Sequence, residues 1–227
     1  MPIDPISSAA SSSPVSREAK PAESRVAGII LAGGAGRRMD APAMGVAGKP
    51  FVPLGGRPLI AHVIAQLRPQ VSELFISADD PSLFAGLGLT VLPDALPGRL
   101  GPLAGVLAGL DALAASGRTD MLLSVPTDAP FLPGDLAARF LARAQETHRP
   151  VCAASLGRRH PVIALWPVEV REALRAHLER GERRVGLVLD LLGAGSLDWP
   201  ATAGDPFFNV NTPEDVGIAR SRLTASS

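Results

Sequence analysis

The side chains best placed to do chemistry fall in three short segments and one lysine. The first segment, Leu31-Ala32-Gly33-Gly34-Ala35-Gly36-Arg37-Arg38-Met39, follows an apolar run. Its glycines let main-chain N–H groups approach a phosphate or a base edge with no Cβ in the way. Arg37 and Arg38 suit paired contacts to phosphate oxygens. The same residues also suit a tight turn with solvated arginines. The segment fits neither common phosphate loop: counted from Gly34, a dinucleotide fingerprint reaches Met39 where Gly or Ala is required, and Lys49 is followed by Pro50, not Ser or Thr. Lys49 itself supplies a compact positive charge in a glycine-containing loop. The second segment, Pro126-Thr127-Asp128-Ala129-Pro130, holds a carboxylate in a stiff loop. Mg²⁺ takes oxygen ligands and keeps several waters, so one or two carboxylates plus substrate phosphates are enough to hold it. Asp128 is the best ligand of this kind, though an Asp here also suits a cap on the next turn, and Asp94 is open to the same two readings. The third segment, Asn209-Val210-Asn211-Thr212, offers amides just before a helix start.

Each segment needs an element to position it. Val26–Leu31 (VAGIIL) reads as a buried strand feeding the glycine loop. Glu73–Ser77, Thr90–Leu92 and Met121–Val125 read as further strands, the last ending at Pro126. Val151–Ser155 and Pro161–Trp166 read as strands flanking a basic turn, Leu156–His160. Helices are expected over Pro58–Leu67, Pro102–Ser116, Gly134–Thr147, Glu169–Arg180 and Val185–Leu192. Gly105 and Gly109 weaken the second of these but permit close packing on a sheet. A final helix starts with Thr212 as N-cap and Pro213 in the first turn. Strands alternating with helices predict an α/β fold with a mostly parallel central sheet. In such folds ligands bind at the carboxyl ends of the strands, which is where all three segments fall.

The 227 residues accommodate one large domain, read as residues 25–227, after a Ser-, Ala- and Pro-rich tail over 1–24 expected to be disordered and dispensable. Lys+Arg and Asp+Glu are both 22, a balance that argues against a nucleic-acid or acidic-membrane surface. Cys152 is the single cysteine, so neither an intrachain disulfide nor a thiolate metal cluster is expected. The four histidines, His62, His148, His160 and His177, have no metal-ligand spacing. With no long apolar run and no signal-like amino terminus, cytoplasm is the expected compartment.

Taken together, these segments resemble the molybdenum cofactor guanylyltransferases, the MobA family of the nucleotidyltransferase superfamily. The resemblance covers roughly Val26 to Leu223. It rests on LAGGAGRRM at Leu31–Met39, KPFVPLGGRPL at Lys49–Leu59, GPLAGVLAGL at Gly101–Leu110 and PTDAPFLP at Pro126–Pro133. It continues with RHPVIAL at Arg159–Leu165, GERRV at Gly181–Val185 and FNVNTPED at Phe208–Asp215. It implies a Rossmann-like nucleotidyltransferase fold with helices on both faces of the sheet. It also implies contacts from Leu31, Ala32 and Gly33 to the guanine nucleotide, with Lys49 on its phosphates; the loop's own chemistry adds Gly34 and Arg37 to that expected site. Asp94 is implied at the nucleotide site, Mg²⁺ on Asp128, and Asn209 and Asn211 in the active-site floor. The chain departs from the family in two places. The link Asp40–Gly48 is longer than usual, with Gly48 in place of an Asp before Lys49, and Ser77 stands where an Asn is common.

The implied reaction is attack by the terminal phosphate of molybdopterin on the α-phosphorus of GTP, with pyrophosphate leaving. A phosphate monoester is already anionic, so alignment and charge neutralisation suffice without a general base. The basic clusters Arg158-Arg159-His160 and Arg183-Arg184 are not needed for GTP on this reading. Arg159 and Arg183 are therefore expected either to bind the anionic pterin or to form a solvated basic face. Rival readings are a molybdopterin cytidylyltransferase, a sugar-phosphate nucleotidyltransferase and a nucleotide-binding module without turnover. Gly33 favours the guanine branch by resemblance. Other cofactor-biosynthesis proteins or acceptor molybdoenzymes are the expected transient partners.

Overall fold

The computed structural model describes residues 26–33, 46–96 and 101–225. The expected tail, Gly34, Arg37 and Arg38, and most of the long link lie outside the described residues. Among the described residues the strands are β1 Val26–Leu31, β2 Pro53–Leu54, β3 Arg57–Pro58, β4 Leu74–Ser77, β5 Thr90–Leu92, β6 Met121–Pro126, β7 Val151–Ser155, β8 Arg158–Pro167 and β9 Gly195–Asp198. The helices are α1 Leu59–Leu67, α2 Pro102–Ser116, α3 Leu136–Thr147, α4 Arg171–Glu179, α5 Val185–Leu191 and α6 Pro213–Ala225. β2 and β3 form a small hairpin, and the other seven strands form one sheet in the order β5-β4-β1-β6-β8-β7-β9. Within it β5, β4, β1 and β6 run parallel, β8 is antiparallel to both β6 and β7, and β9 returns parallel to β7.

Alternation along β1 shows why the sheet is covered on both faces. Val26 and Ile30 face a core that includes Ile60 and Val63 of α1 and Phe140 of α3. Ala27, Ile29 and Leu31 face a second core built with Leu103 and Leu107 of α2, Leu174 of α4 and Val188 of α5. Side chains of a strand alternate faces, so a run that is apolar at every position buries only between two helical layers.

The expected elements appear with shifts of a few residues, and the differences have local causes. The basic turn read over Leu156–His160 is instead a tight turn at Leu156-Gly157, and Arg158 to His160 belong to β8. Leu156 (φ 50°) and Gly157 (φ 72°) are both left-handed, the geometry of a two-residue hairpin whose twist matches its strands. β9, Gly195–Asp198, has the composition of a loop, and its strand state comes from pairing with β7 at the sheet edge.

The glycines of α2 set how closely the helix lies on the sheet. A Cβ on Gly105 would stand 2.3 Å from Ser77 Oγ and 2.8 Å from Leu31 Cδ2. Helix propensity alone favours Ala over Gly by about 1 kcal/mol, but forcing a methyl into packed surroundings costs about 1–3 kcal/mol. The clash should win. Gly105→Ala is expected to lower the urea midpoint of unfolding, and an unchanged or raised midpoint would show that α2 can back away from β1 and β4.

Candidate functional site

Strands β1, β4, β5 and β6 end on one edge of the sheet, and the sequence-predicted residues gather there. Leu31 closes β1, and the Ala32 N–H donates to the Ser77 carbonyl at 2.9 Å, which fixes the start of the glycine loop beside the end of β4. Gly33 is exposed, and among the described residues a Cβ there would meet nothing within 4 Å. Its φ is not left-handed, so the backbone does not demand glycine, and open space for a close-approaching ligand remains the physical reason for one. Because Gly105 packs on Ser77 and Leu31, the first turn of α2 abuts these strand ends. The partial positive charge of that helix end favours an anion nearby.

Asp94 follows β5 and faces Ser77, whose Oγ lies 3.5 Å from Asp94 Oδ1. Partial burial pushes the Asp94 carboxyl above its ordinary range and the charge of Asp79 adds to this, while the Ser77 hydroxyl works in the opposite direction. Ser77, the residue that departs from the family's Asn, is thus a buried neighbour of the strand-end carboxylate.

Across β6 the arrangement is tighter. The Lys49 ammonium donates to Asp128 Oδ2 and, at 2.7 Å, to Asn211 Oδ1. The side chains of Lys49 and Asp128 each retain 15% exposure, so the pair lines an opening rather than filling a core. Residues from three distant parts of the chain meet here because a small third core clamps their carriers. Val52 and Leu54 follow Lys49, Val210 precedes Asn211, and all three pack with Leu59, Val216 and Ala219. The Val210 N–H also donates to the Asp128 carbonyl at 2.9 Å. Asn211 is held in turn by the helix start: Asp215 Oδ2 accepts from the Asn211 and Thr212 N–H groups at 2.8 and 2.9 Å, and Thr212 Oγ1 accepts from Asp215 N–H at 3.2 Å. This is a reciprocal N-terminal cap, as Thr212-Pro213 predicted. The long link before Lys49 does not keep it from this place.

Two buried oxygens, Asp128 Oδ1 and Asn209 Oδ1, have no hydrogen-bond partner among the described residues. An orphaned carboxylate oxygen costs free energy unless something else satisfies it, and a hard divalent cation is a chemically apt partner. Among the described residues no group of three or more His, Cys, Asp or Glu side chains gathers to hold a metal. A cation at Asp128 would therefore complete its shell with substrate phosphates and water.

The basic clusters are placed differently. Because β8 runs antiparallel to β6, its amino end, with Arg158 and Arg159, lies toward the same sheet edge as Asp128. Arg159 is half-exposed but engaged: it donates to Cys152 Sγ at 3.1 Å and to Asp190 Oδ1 of α5 at 2.6 Å, and its Nη2 is buried with no partner among the described residues. Both contacts raise its pKa further, with Asp190 contributing most. Arg183 donates to the Leu178 and Glu182 carbonyls at 2.7 and 2.8 Å, closing the carboxyl end of α4. The site thus joins Lys49, Asp128 and Asn211 directly, with Asp94 and Leu31–Gly33 on the neighbouring strand ends, and it engages Arg159 and Arg183 in contacts within the fold.

A hydrogen-bond chain that joins the β7–β8 hairpin to the segment before Asn209 has no signature in the sequence. His160 Nε2 is 2.8 Å from Ser155 Oγ, which donates to Asp205 Oδ1 at 2.7 Å. Desolvation holds the His160 pKa below its ordinary 6.5; Asp205 opposes that shift, and Arg158 adds to it. The unfolded chain therefore takes up this proton before the folded one does. The linked stability is fully present above about pH 6.5 and is lost as pH falls through the lower folded pKa. The urea midpoint should drop on acidification below about pH 6.5, and His160→Gln should flatten that part of the profile. An identical slope in the variant would assign the effect to other groups.

The match to the MobA-like NTP transferase domain spans residues 28–190. A molybdenum cofactor guanylyltransferase of Bradyrhizobium sp. (strain ORS 278) is 46% identical over 205 residues, covering 88% of this chain and 93% of that protein. One from Cereibacter sphaeroides is 50% identical over 204 residues, covering 88% and 97%. Among solved structures, molybdopterin-guanine dinucleotide biosynthesis protein A of Archaeoglobus fulgidus shares the fold with a TM-score of 0.66 at 20% identity, covering 88% of this chain and 99% of its own.

Proposed function

The chain belongs to the MobA-like NTP transferase family, and from that premise we propose that its strand-end site transfers GMP from GTP to molybdopterin with the help of Mg²⁺. The observation that carries the site assignment is the Lys49 ammonium bridging Asp128 and Asn211 while Asp128 keeps a second, buried and unpartnered oxygen. One oxygen of the carboxylate serves the lysine and the other is left for a cation. Mg²⁺ bound there would supply charge neutralisation on the triphosphate.

The protein's own groups divide the remaining work. Lys49 neutralises charge that builds on the departing pyrophosphate, and Arg37 of the glycine loop shares that role. Leu31–Gly34 and the amino end of α2 receive the nucleotide, Gly33 leaving room for a close approach. Asp94 accepts the paired N–H donors of guanine, which cytosine lacks in that arrangement. Asn209 and Asn211 orient the incoming phosphate. In the transfer, a terminal phosphate oxygen of molybdopterin forms a bond to the α-phosphorus as the bond to the pyrophosphate oxygen breaks. The reacting oxygen carries no proton to remove. Arg159, at the acceptor end of the sheet edge, holds the β8–α5 wall against which the pterin would rest; Arg183 is assigned to the same wall through the α4 terminus. The reading places the protein in the cytoplasm, with cofactor-biosynthesis proteins or acceptor molybdoenzymes as passing partners. Among the described residues no helix is long and apolar enough to cross a membrane.

The test is transfer itself. Purified protein with Mg²⁺, molybdopterin and α-phosphate-labelled GTP should form a labelled dinucleotide and release pyrophosphate. Equal incorporation from CTP would favour the cytidylyl reading, and label appearing only on a sugar phosphate would overturn the pterin.

A further inference from the structure

The Ser155, His160 and Asp205 side chains lie outside the reacting centre, yet they form a directed hydrogen-bond chain that is buried at Ser155 and His160 and half-buried at Asp205. Ser155 is 1% exposed and His160 7%. Asp205 Oδ1 accepts twice, from Ser155 Oγ at 2.7 Å and from the Phe207 N–H at 2.9 Å. An ionised carboxylate only accepts, so the single Ser155 hydrogen goes to Asp205, and His160 Nε2 must be the donor to Ser155. The order is fixed: His160 donates to Ser155, and Ser155 donates to Asp205. The Asp205 carbonyl accepts from Phe208 N–H at 3.2 Å and from Arg222 Nη1 at 2.9 Å, closing a turn.

We infer that this chain is a positioning device for the transfer reaction, clamping the segment that carries Asn209 and Asn211 to the β7–β8 hairpin. The inference rests on the proposed placement of those asparagines at the acceptor phosphate. The segment has a clamp at each end: Asp205 on Ser155, and the Val210 N–H on the Asp128 carbonyl at 2.9 Å. Asn209 lies between the clamps, and its buried Oδ1 has no partner of its own to hold it. Its orientation is therefore set by the backbone on either side. The Val210 clamp ties the asparagines to the metal-binding loop, and the Asp205 clamp ties them to the hairpin beyond β6. The fold does not depend on the polar chain alone, because Phe207 is fully buried between the His160 and Trp199 rings at 5.0 and 5.4 Å.

Asn209 and Asn211 are the only asparagines in the sequence, so asparagine-selective isotope labelling of the full chain reports on them alone. Ser155→Ala should shift and broaden both side-chain amide signals and lower kcat roughly 10- to 100-fold, the range typical of lost supporting hydrogen bonds, with KM for GTP unchanged. Asp205→Ala should lose the same factor, and the double variant no more. Asp205→Asn, which keeps the acceptor oxygen, should restore kcat. A Ser155→Ala protein with a lowered Tm but unmoved asparagine signals and wild-type kcat overturns the inference and leaves a purely structural contact. If Ser155→Ala does not fold, His160→Gln is read by the same two measurements, and unmoved signals with unchanged kcat overturn the inference there too. A wild-type protein without guanylyl transfer would sink the functional reading, and the amide signals would still decide whether the clamp exists.

Discussion

Asp128→Asn is expected to cut guanylyl transfer roughly a thousandfold while leaving the protein folded, since metal-assisted charge stabilisation is worth several kcal/mol and each 1.4 kcal/mol is about tenfold in rate. The substitution keeps the shape of the side chain and removes only its charge. It leaves untouched the Asp128 carbonyl that receives the Val210 N–H, so the β6 loop and the asparagine segment stay joined. The neutral amide also presents one oxygen where the carboxylate presents two, and Lys49 competes for it. Activity measured against Mg²⁺ concentration is the decisive readout. Near-wild-type turnover at saturating Mg²⁺ would remove Asp128 from the metal site, whereas full loss with an unchanged urea midpoint would fix it there.

Lys49→Ala is the second large effect, expected to lower kcat roughly 100- to 1,000-fold, the scale for losing one preorganised charge or donor at a developing anion. Apart from Lys20 in the tail, Lys49 is the only lysine in the chain, and every other fixed cation is an arginine. Lys49→Arg should not restore the rate. A guanidinium is planar and broad where the ammonium is compact, and here the ammonium lies between Asp128 and Asn211. Stability should change little, because Val52, Leu54 and Val210 hold their chains through apolar packing rather than through the ion pair. Single-turnover transfer with pre-bound GTP checks the prediction; an unchanged rate would mean that the longer link carries Lys49 past the triphosphate.

Much of this protein was legible in its sequence. The uninterrupted apolar run VAGIIL could bury only between two layers, so Val26–Leu31 had to be an inner parallel strand with a loop at its carboxyl end. Thr212-Pro213 and Asp215 marked the start of α6 because an N-cap is local chemistry. The motif order identified the family, whose model spans residues 28–190.

What remained was decided between residues far apart in the chain. Gly195–Asp198 has no strand composition and becomes β9 only because β7 offers it an edge. Arg159 and Arg183 read either as pterin binders or as a solvated basic face, but Asp190 and the carbonyls at the end of α4 engage their donors within the fold. That competition depends on partners no local window contains. The Ser155–Asp205 bond spans 50 residues and follows no motif spacing. Local sequence sets propensity, period and caps, which act over a few residues. Which oxygen meets which ammonium, and which carboxylate oxygen is left without a partner, depends on how the three cores close on one another, and only the packed tertiary structure determines that.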